Sequence, residues 1–151
     1  MITLTVSLDG RPLADLAARL QAISADNFDA PLRAIGESAR NMALDAFAAE
    51  LSPEGAAWPK SKRAMADGGL TLTDTATLKN SIGVSVGVGD AEVSVGTNIV
   101  YAAIHQLGGK AGRGHRTILP PRPFLPSEEN QELQADAMDF LSAHLQRQLA
   151  A

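Results

Sequence analysis

One stretch of this sequence, SIGVSVGVGDAEVSVGT at residues 81–97, restricts the fold more than any other. Large apolar residues alternate with small ones on both sides of Gly89-Asp90, a dipeptide that favours a two-residue turn. Pairing Val88 with Ala91 across this turn places Val86 opposite Val93 and Val84 opposite Val95. All of the large side chains then share one face, so the stretch is predicted to be an antiparallel β-hairpin.

The opposite face of this hairpin carries small or polar residues. They are Ser81, Gly83, Ser85, Gly87, Glu92 and Ser94. Glycine and serine allow another backbone or subunit to approach closely, whereas a solvated face would show the same composition. Both interpretations remain open at this point.

Periodicity predicts further elements on either side. Alternating apolar residues from Ile2 to Leu8 predict an N-terminal strand, and residues 13–23 show the spacing of a short amphipathic helix. A longer helix follows Pro31, with an apolar stripe at spacings of three and four: Leu32, Ile35, Ala39, Met42, Ala43, Ala46 and Phe47. YAAIHQLGG predicts one or two helical turns that end at glycine.

The chain is predicted to close with a helix capped by Ser127, with Glu128 and Glu129 in its first turn. Its predicted buried stripe is Leu133, Ala137, Phe140, Leu141 and Leu145. We therefore expect a single α+β domain over residues 1–151. A small antiparallel sheet, made of the N-terminal strand and the central hairpin with an edge strand near residues 117–119, packs against the long helix and the C-terminal helix.

Residues 52–69 contain two prolines and three glycines and show no sustained period. We expect a long mobile connection there, and connections of this length are often functional. Trp58 is the only tryptophan of the chain. It either anchors this connection to the core or waits for a partner.

Basic charge is concentrated in one segment of an otherwise acidic chain. Residues 93–127 carry Lys110, Arg113, Arg116 and Arg122 and no acid, which gives this segment a charge of +4. Because the net charge of the whole chain is −4, the remaining residues together carry −8. Three of these cations lie in a glycine-rich loop at residues 108–116. Such a loop suits phosphates, which makes non-specific DNA contact an alternative, and it equally suits an acidic protein partner.

Most enzyme classes lack their usual signatures in this sequence. There is no cysteine, His105 and His115 follow no metal-ligand spacing, and no acid lies between Glu92 and Glu128. The G-x-S-x-G, H-E-x-x-H and P-loop motifs are absent. Neither a signal peptide nor an apolar run long enough for a membrane span is evident. We expect a protein that is not an enzyme and has no metal, cofactor, small-molecule substrate or membrane contact.

Three fragments, taken in order, carry a resemblance to a known family: LTDTATLKNSI from residue 72, VSVGTNIVYAAIHQLGG from residue 93, and LPPRPFLP from residue 119. Together they resemble the phage virion morphogenesis family of Mu-like prophages, the tail completion proteins. The similarity runs from about Trp58 to Pro126. Ala76 stands where that family has glycine in a "T-G-x-L" turn.

The resemblance implies a structural virion protein, present in the host cytoplasm during assembly, that acts in tail completion or head–tail joining. It implies a ring of identical subunits and a tail-tube or head-connector partner. Interface roles are then expected for Trp58, Lys110, Arg113, Arg116 and Arg122. Arg122 would offer its guanidinium to a carboxylate of the same or a neighbouring subunit. Tyr101, His105 and Gln106 would fix their short segment against the sheet, and Phe124 and Leu125 would dock on the core.

The charge pattern adds a hypothesis about how such subunits meet. The predicted final helix carries Glu128, Glu129, Glu132, Asp136 and Asp139 against one Arg147. This acidic helix would contact the basic 110–122 segment of a neighbour head to tail, a contact that closes into a ring if the rotation permits.

Overall fold

The computed structural model describes residues 28–87 and 92–150, together with Ala18. The helices are α1 (Asp29–Ala49), α2 (Lys62–Asp67), α3 (Thr77–Asn80), α4 (Ala102–Leu107) and α5 (Gln131–Ala150). The strands are β1 (Gly83–Val86), β2 (Val93–Gly96), β3 (Gly109–Ala111) and β4 (Thr117–Leu119), with a 3₁₀ turn at Arg113–His115. The predicted α+β class is confirmed. The predicted N-terminal strand, and the predicted helix at 13–23 apart from Ala18, lie outside the described residues.

The central hairpin has the predicted register. β1 and β2 are antiparallel, with Val84 opposite Val95 and Val86 opposite Val93. Helix α1 lies very close to this sheet at Gly36, where a Cβ atom would overlap Val84 Cγ1 and lie 2.7 Å from Val93 Cγ2. The missing side chain at Gly36 thus permits the close packing of helix on sheet. The hairpin turn itself lies outside the described residues.

The long helix was predicted correctly. It begins at Asp29 and buries Leu32, Ala39, Ala43, Ala46 and Phe47, while Arg33, Glu37 and Asp45 remain exposed. It ends where Glu50 adopts a left-handed conformation with φ of 55°. Arg40, on the flank of the helix, donates from Nε to the carbonyl oxygen of Ile82 at 2.9 Å, which ties α1 to the start of the hairpin.

The core is centred on three aromatic rings from distant parts of the chain. Phe47 lies 5.5 Å from Trp58 and 5.3 Å from Phe124, measured between ring centroids. Edge-to-face and tilted pairs at such distances add to the stabilisation from apolar burial. The other buried members of this cluster are Ala43, Ala46, Leu78, Ile82 and Ala102.

The segment 52–69, where we expected a long mobile connection, contains a short helix and one bridge residue. Leu51 forms an isolated antiparallel bridge with Ala57, and Lys62–Asp67 form helix α2. Ser61 caps that helix, because its hydroxyl accepts a hydrogen bond from the Ala64 backbone at 3.1 Å.

Glu50, which precedes this segment, contacts Lys60 within it and Thr71 just after it. Its Oε1 accepts from the Thr71 backbone N–H at 2.8 Å, and its Oε2 lies 3.3 Å from Lys60 Nζ. Hydrogen bonds from Thr71, with Lys60 nearby, lower the pKa of Glu50. The carboxylate form therefore holds the two ends of the segment together.

The edge strand predicted near 117–119 exists, but not in the predicted sheet. β4 pairs with β3, so that Lys110 lies opposite Ile118 in a second two-stranded sheet. The four prolines that follow residue 119 prevent a longer strand.

Two expectations about the last helix were wrong. Asn130 is its cap and not Ser127, because Asn130 Oδ1 accepts from the Leu133 N–H at 3.0 Å, while the Ser127 carbonyl closes a turn with the Asn130 N–H. The predicted stripe is also not buried: Leu133, Ala137 and Leu141 are half-buried, and Phe140 and Leu145 are exposed. His144 is the buried residue of the helix. Packing on α1 covers only part of this apolar face.

Candidate functional site: a locked proline strap and a basic hairpin

The segment PPRPFLP forms an extended strap, named here the proline strap (residues 120–126), that α4 holds through one side chain. Gln106 Oε1 accepts hydrogen bonds from the backbone N–H groups of Phe124 at 2.9 Å and Leu125 at 3.1 Å. Gln106 Nε2 donates to the Leu125 carbonyl oxygen at 3.4 Å. A strap outside any sheet needs such partners for its backbone, and the glutamine amide supplies both an acceptor and a donor.

Phe124 is 1% exposed in the aromatic core, and Leu125 packs against the same cluster. Gln106 thus fixes α4 to the strap, and its contacts are not with the sheet that we expected. The motif "H-Q-x-G-G … R-P-F-L" is therefore a packing unit, in which the amide of one fragment satisfies the backbone of the other.

Trp58 and Arg122 form a reciprocal lock between two segments. Trp58 Nε1 donates to the Pro123 carbonyl oxygen at 2.9 Å, and Arg122 Nε donates to the Pro59 carbonyl oxygen at 2.7 Å. The two side chains are 5% and 4% exposed. Trp58 therefore belongs to the core. The expectation that it contacts a partner protein was wrong, because its side chain is buried.

The expectation for Arg122 is corrected as well. Within the described residues no carboxylate lies within 4.0 Å of its guanidinium, which bonds to a backbone carbonyl. A buried side chain cannot offer a cation to a neighbouring subunit. The backbone N–H of Arg122 donates to the His105 carbonyl oxygen at 2.7 Å, which joins the lock to α4.

His105 lies beside this lock, close to Arg122. Burial, with the nearby positive charge of Arg122, lowers the pKa of His105. Its Nδ1 is buried and has no hydrogen-bond partner among the described residues. Tyr101 stacks edge-on to the imidazole with ring centroids 5.9 Å apart, and its own side chain is 46% exposed. Neither ring is placed against the hairpin sheet by these contacts.

The predicted basic loop is a projecting structure, named here the basic hairpin (residues 109–119), formed by β3, the 3₁₀ turn and β4. Lys110, Arg113 and Arg116 are all exposed, as is every residue from 112 to 118. Gly108 permits its close attachment to the strap, because φ is 73° and a Cβ atom there would lie 2.8 Å from Pro121 N. The hairpin thus presents three cations from a base fixed by the locked strap.

Within residues 28–87 and 92–150, no group of three or more histidine, aspartate or glutamate side chains is placed to hold a metal ion. In the same residues, no helix combines the length and apolarity that a membrane crossing requires.

Two features of this part of the molecule were not predicted from the sequence. The lock joins Trp58 to a carbonyl 65 residues away, for which no periodic signal exists. A groove between α1 and α5, lined partly by Asp45 and Glu132, also went unpredicted because it depends on how the two helices pack.

The chain is similar in sequence to known proteins. Residues 8–146 match the phage virion morphogenesis family. The chain is also 45% identical over 87 residues to the Mu-like prophage FluMu G protein 2 of Haemophilus influenzae. That alignment covers 56% of this chain and 59% of the relative, so the chain spans less than two thirds of that relative's length. No solved structure matches the chain.

Proposed function

The chain belongs to the phage virion morphogenesis family, and from that premise we propose that it is a structural tail completion protein that joins heads to tails. A role in phage virion assembly follows from the family itself. The finer assignment rests on the ordered motifs. They build a packing unit around Gln106 and Phe124, not an array of reactive groups.

The observation that carries the proposal is the basic hairpin fixed on a locked strap. The lock between Trp58 and Arg122 fastens the strap from one side, and Gln106 fastens it from the other. Exposed cations on a fixed support form a surface for another macromolecule. An assembly protein without catalytic activity requires such a surface.

We infer further that the protein works as a homo-oligomer, as a ring of identical subunits, and that it contacts the tail tube or the head connector. It would reside in the virion, and in the host cytoplasm while particles are assembled. The opposite charges on separate parts of the chain support association between copies.

Deletion of the gene in an inducible prophage, followed by electron microscopy of the lysate, tests the joining role. Separate filled heads and unattached tails are expected. Restoration by the wild-type gene in trans is the control for effects on neighbouring genes. Intact virions in the deletion lysate would contradict the proposal.

A second candidate function is contact with nucleic acid, favoured by the exposed Lys110, Arg113 and Arg116. If these residues contact phosphates, duplex binding falls steeply with salt, and replacing all three by glutamine removes most of that dependence. Fluorescence anisotropy with a labelled duplex between 50 and 200 mM salt measures the slope. A slope unchanged by the substitutions would exclude this role for the basic hairpin.

A further inference from the structure

Helices α1 and α5 border a groove of about 470 Å³ that is lined by acidic and apolar side chains. The carboxylates of Glu37, Asp45, Glu132 and Asp136 lie along it, together with Met42 and Phe140. A second groove of about 250 Å³ shares Met42, Asp45 and Glu132 and continues towards Gly55. The two form one continuous surface, named here the acidic groove.

Part of the negative charge of the acidic groove is already used within the chain. Asp136 accepts a hydrogen bond from Ser38 Oγ, and Glu37 lies 3.6 Å from Arg40. Asp45 and Glu132 are exposed, and among the described residues neither has an ion-pair partner. The apolar lining is incompletely covered as well, since Phe140 is exposed and Met42 is only half-buried. The groove therefore offers two free carboxylates beside apolar surface.

The basic hairpin has the complementary composition. Lys110 and Ile118 are directly opposite each other in the β3–β4 pair, so their side chains share one face of the ribbon. Ile118 is 75% exposed, so its apolar side chain is accessible to a partner on the same face as Lys110. Arg113 and Arg116 extend the positive charge, and no ion pair within the described residues neutralises any of these three cations.

We propose that the acidic groove of one copy binds the basic hairpin of a second copy. Ile118 would cover Met42 and Phe140, while the cations of the hairpin face Asp45 and Glu132. The proposal rests on the self-association part of the proposed function and names its contact surfaces. Because the two surfaces differ, the contact is head to tail, and repetition gives a ring or an open filament according to the rotation between copies.

A second copy fits these observations better than nucleic acid does. Nucleic acid would leave the exposed apolar Ile118 and the acidic groove without partners. A second copy satisfies both surfaces at once. Because the attraction is between exposed charges, assembly is expected to weaken as salt increases.

Reciprocal charge reversal tests the contact. The groove variant carries Asp45→Lys and Glu132→Lys, and the hairpin variant carries Lys110→Glu, Arg113→Glu and Arg116→Glu. Sedimentation velocity at low salt should show assembly of the wild-type chain and at least tenfold weaker self-association of each variant alone. An equimolar mixture should assemble again, since each variant then offers the charge that the other lacks.

A matched control carries Asp67→Lys and Glu92→Lys, which change two exposed acids that lie outside α5 and line neither part of the groove, and it should assemble like wild type. Circular dichroism and thermal unfolding establish that all variants fold. A monomeric wild-type chain, a groove variant that assembles normally, or a mixture that stays monomeric would each overturn the proposal.

Complementation of the gene deletion separates this inference from the joining role. A groove variant that assembles normally and restores joined particles would overturn the contact and leave joining intact. A deletion lysate with intact virions would overturn joining whatever the sedimentation result.

Discussion

The indole of Trp58 and the carbonyl oxygen of Pro123 are joined by a hydrogen bond of 2.9 Å between positions 65 residues apart. The neighbouring residues form the return bond, in which Arg122 Nε donates to the carbonyl oxygen of Pro59 at 2.7 Å. These paired bonds fasten the proline strap to the segment after α1. They explain why a strap outside both sheets can support a projecting hairpin.

Replacing Trp58 should separate packing from hydrogen bonding in this lock. Trp58→Phe keeps much of the aromatic contact with Phe47 but leaves the Pro123 carbonyl without its donor, and should cost about 1–3 kcal/mol of unfolding free energy. Trp58→Ala also opens a cavity and should cost about 3–5 kcal/mol. Urea unfolding measures both, with the exposed Met65→Ala as control. Equal, small losses for both Trp58 variants would show that the lock contributes little.

Gln106 should be important for stability although it is a neutral polar residue on a short helix. Gln106→Met preserves side-chain length but removes the acceptor of the Phe124 and Leu125 N–H groups, and should cost about 2–4 kcal/mol, since each unsatisfied group costs about 1–3. Gln146→Ala, at an exposed position of α5, should change stability by less than about 0.5 kcal/mol. Similar unfolding midpoints for the two variants would contradict the role of Gln106 as the clamp of the strap.

Replacing Ala76 by glycine, the residue of the related family motif, should stabilise the protein. The φ of 58° at Ala76 is left-handed, a conformation that costs a residue with a Cβ atom about 1–2 kcal/mol. Glycine avoids that strain but gains entropy in the unfolded chain, so Ala76→Gly should stabilise by about 0.5–1 kcal/mol. Thermal unfolding measures the change, and Ala66→Gly in α2, where glycine only lowers helix propensity, should destabilise. A loss of stability in Ala76→Gly would contradict the left-handed turn.

His105 should make the protein less stable in mild acid. Burial and Arg122 depress its pKa in the folded chain, so the unfolded chain takes up a proton first as the pH falls below about 6.5. This contribution is fully present above that pH and decreases as the pH falls towards the folded pKa. Urea unfolding at pH 7.5 and 5.5 measures the change, and the free energy of unfolding should fall less between these pH values for His105→Gln than for wild type. Equal losses would mean that His105 titrates alike in both states.

Local signals explain what could be predicted from the sequence. The register of the Val84–Val95 pair followed from a period of two around a fixed turn, and α1 followed from its apolar stripe. Helix α2 was missed although Ser61 and Gly68 mark its two ends, because glycine and proline nearby indicated an irregular loop. These features all depend on neighbours within a few residues.

Tertiary contacts account for the remaining errors. Arg122 was expected at an interface because the prolines on either side of it favour an exposed extended segment. In the structure its side chain is buried and donates a hydrogen bond to the carbonyl oxygen of Pro59. The apolar stripe of α5 was expected to be buried, but burial depends on what packs against it, and Phe140 remains exposed beside the acidic groove. Composition alone carries neither piece of information.

The most direct test asks whether the basic hairpin is the working surface of an assembly protein. The hairpin variant, with Lys110→Glu, Arg113→Glu and Arg116→Glu, is supplied in trans to the deletion prophage, and the fraction of heads that carry tails is counted by electron microscopy. The variant should fold with an unchanged unfolding midpoint, yet leave joined particles at the level of the deletion, while wild type restores them. Joined particles at the wild-type level would contradict the account.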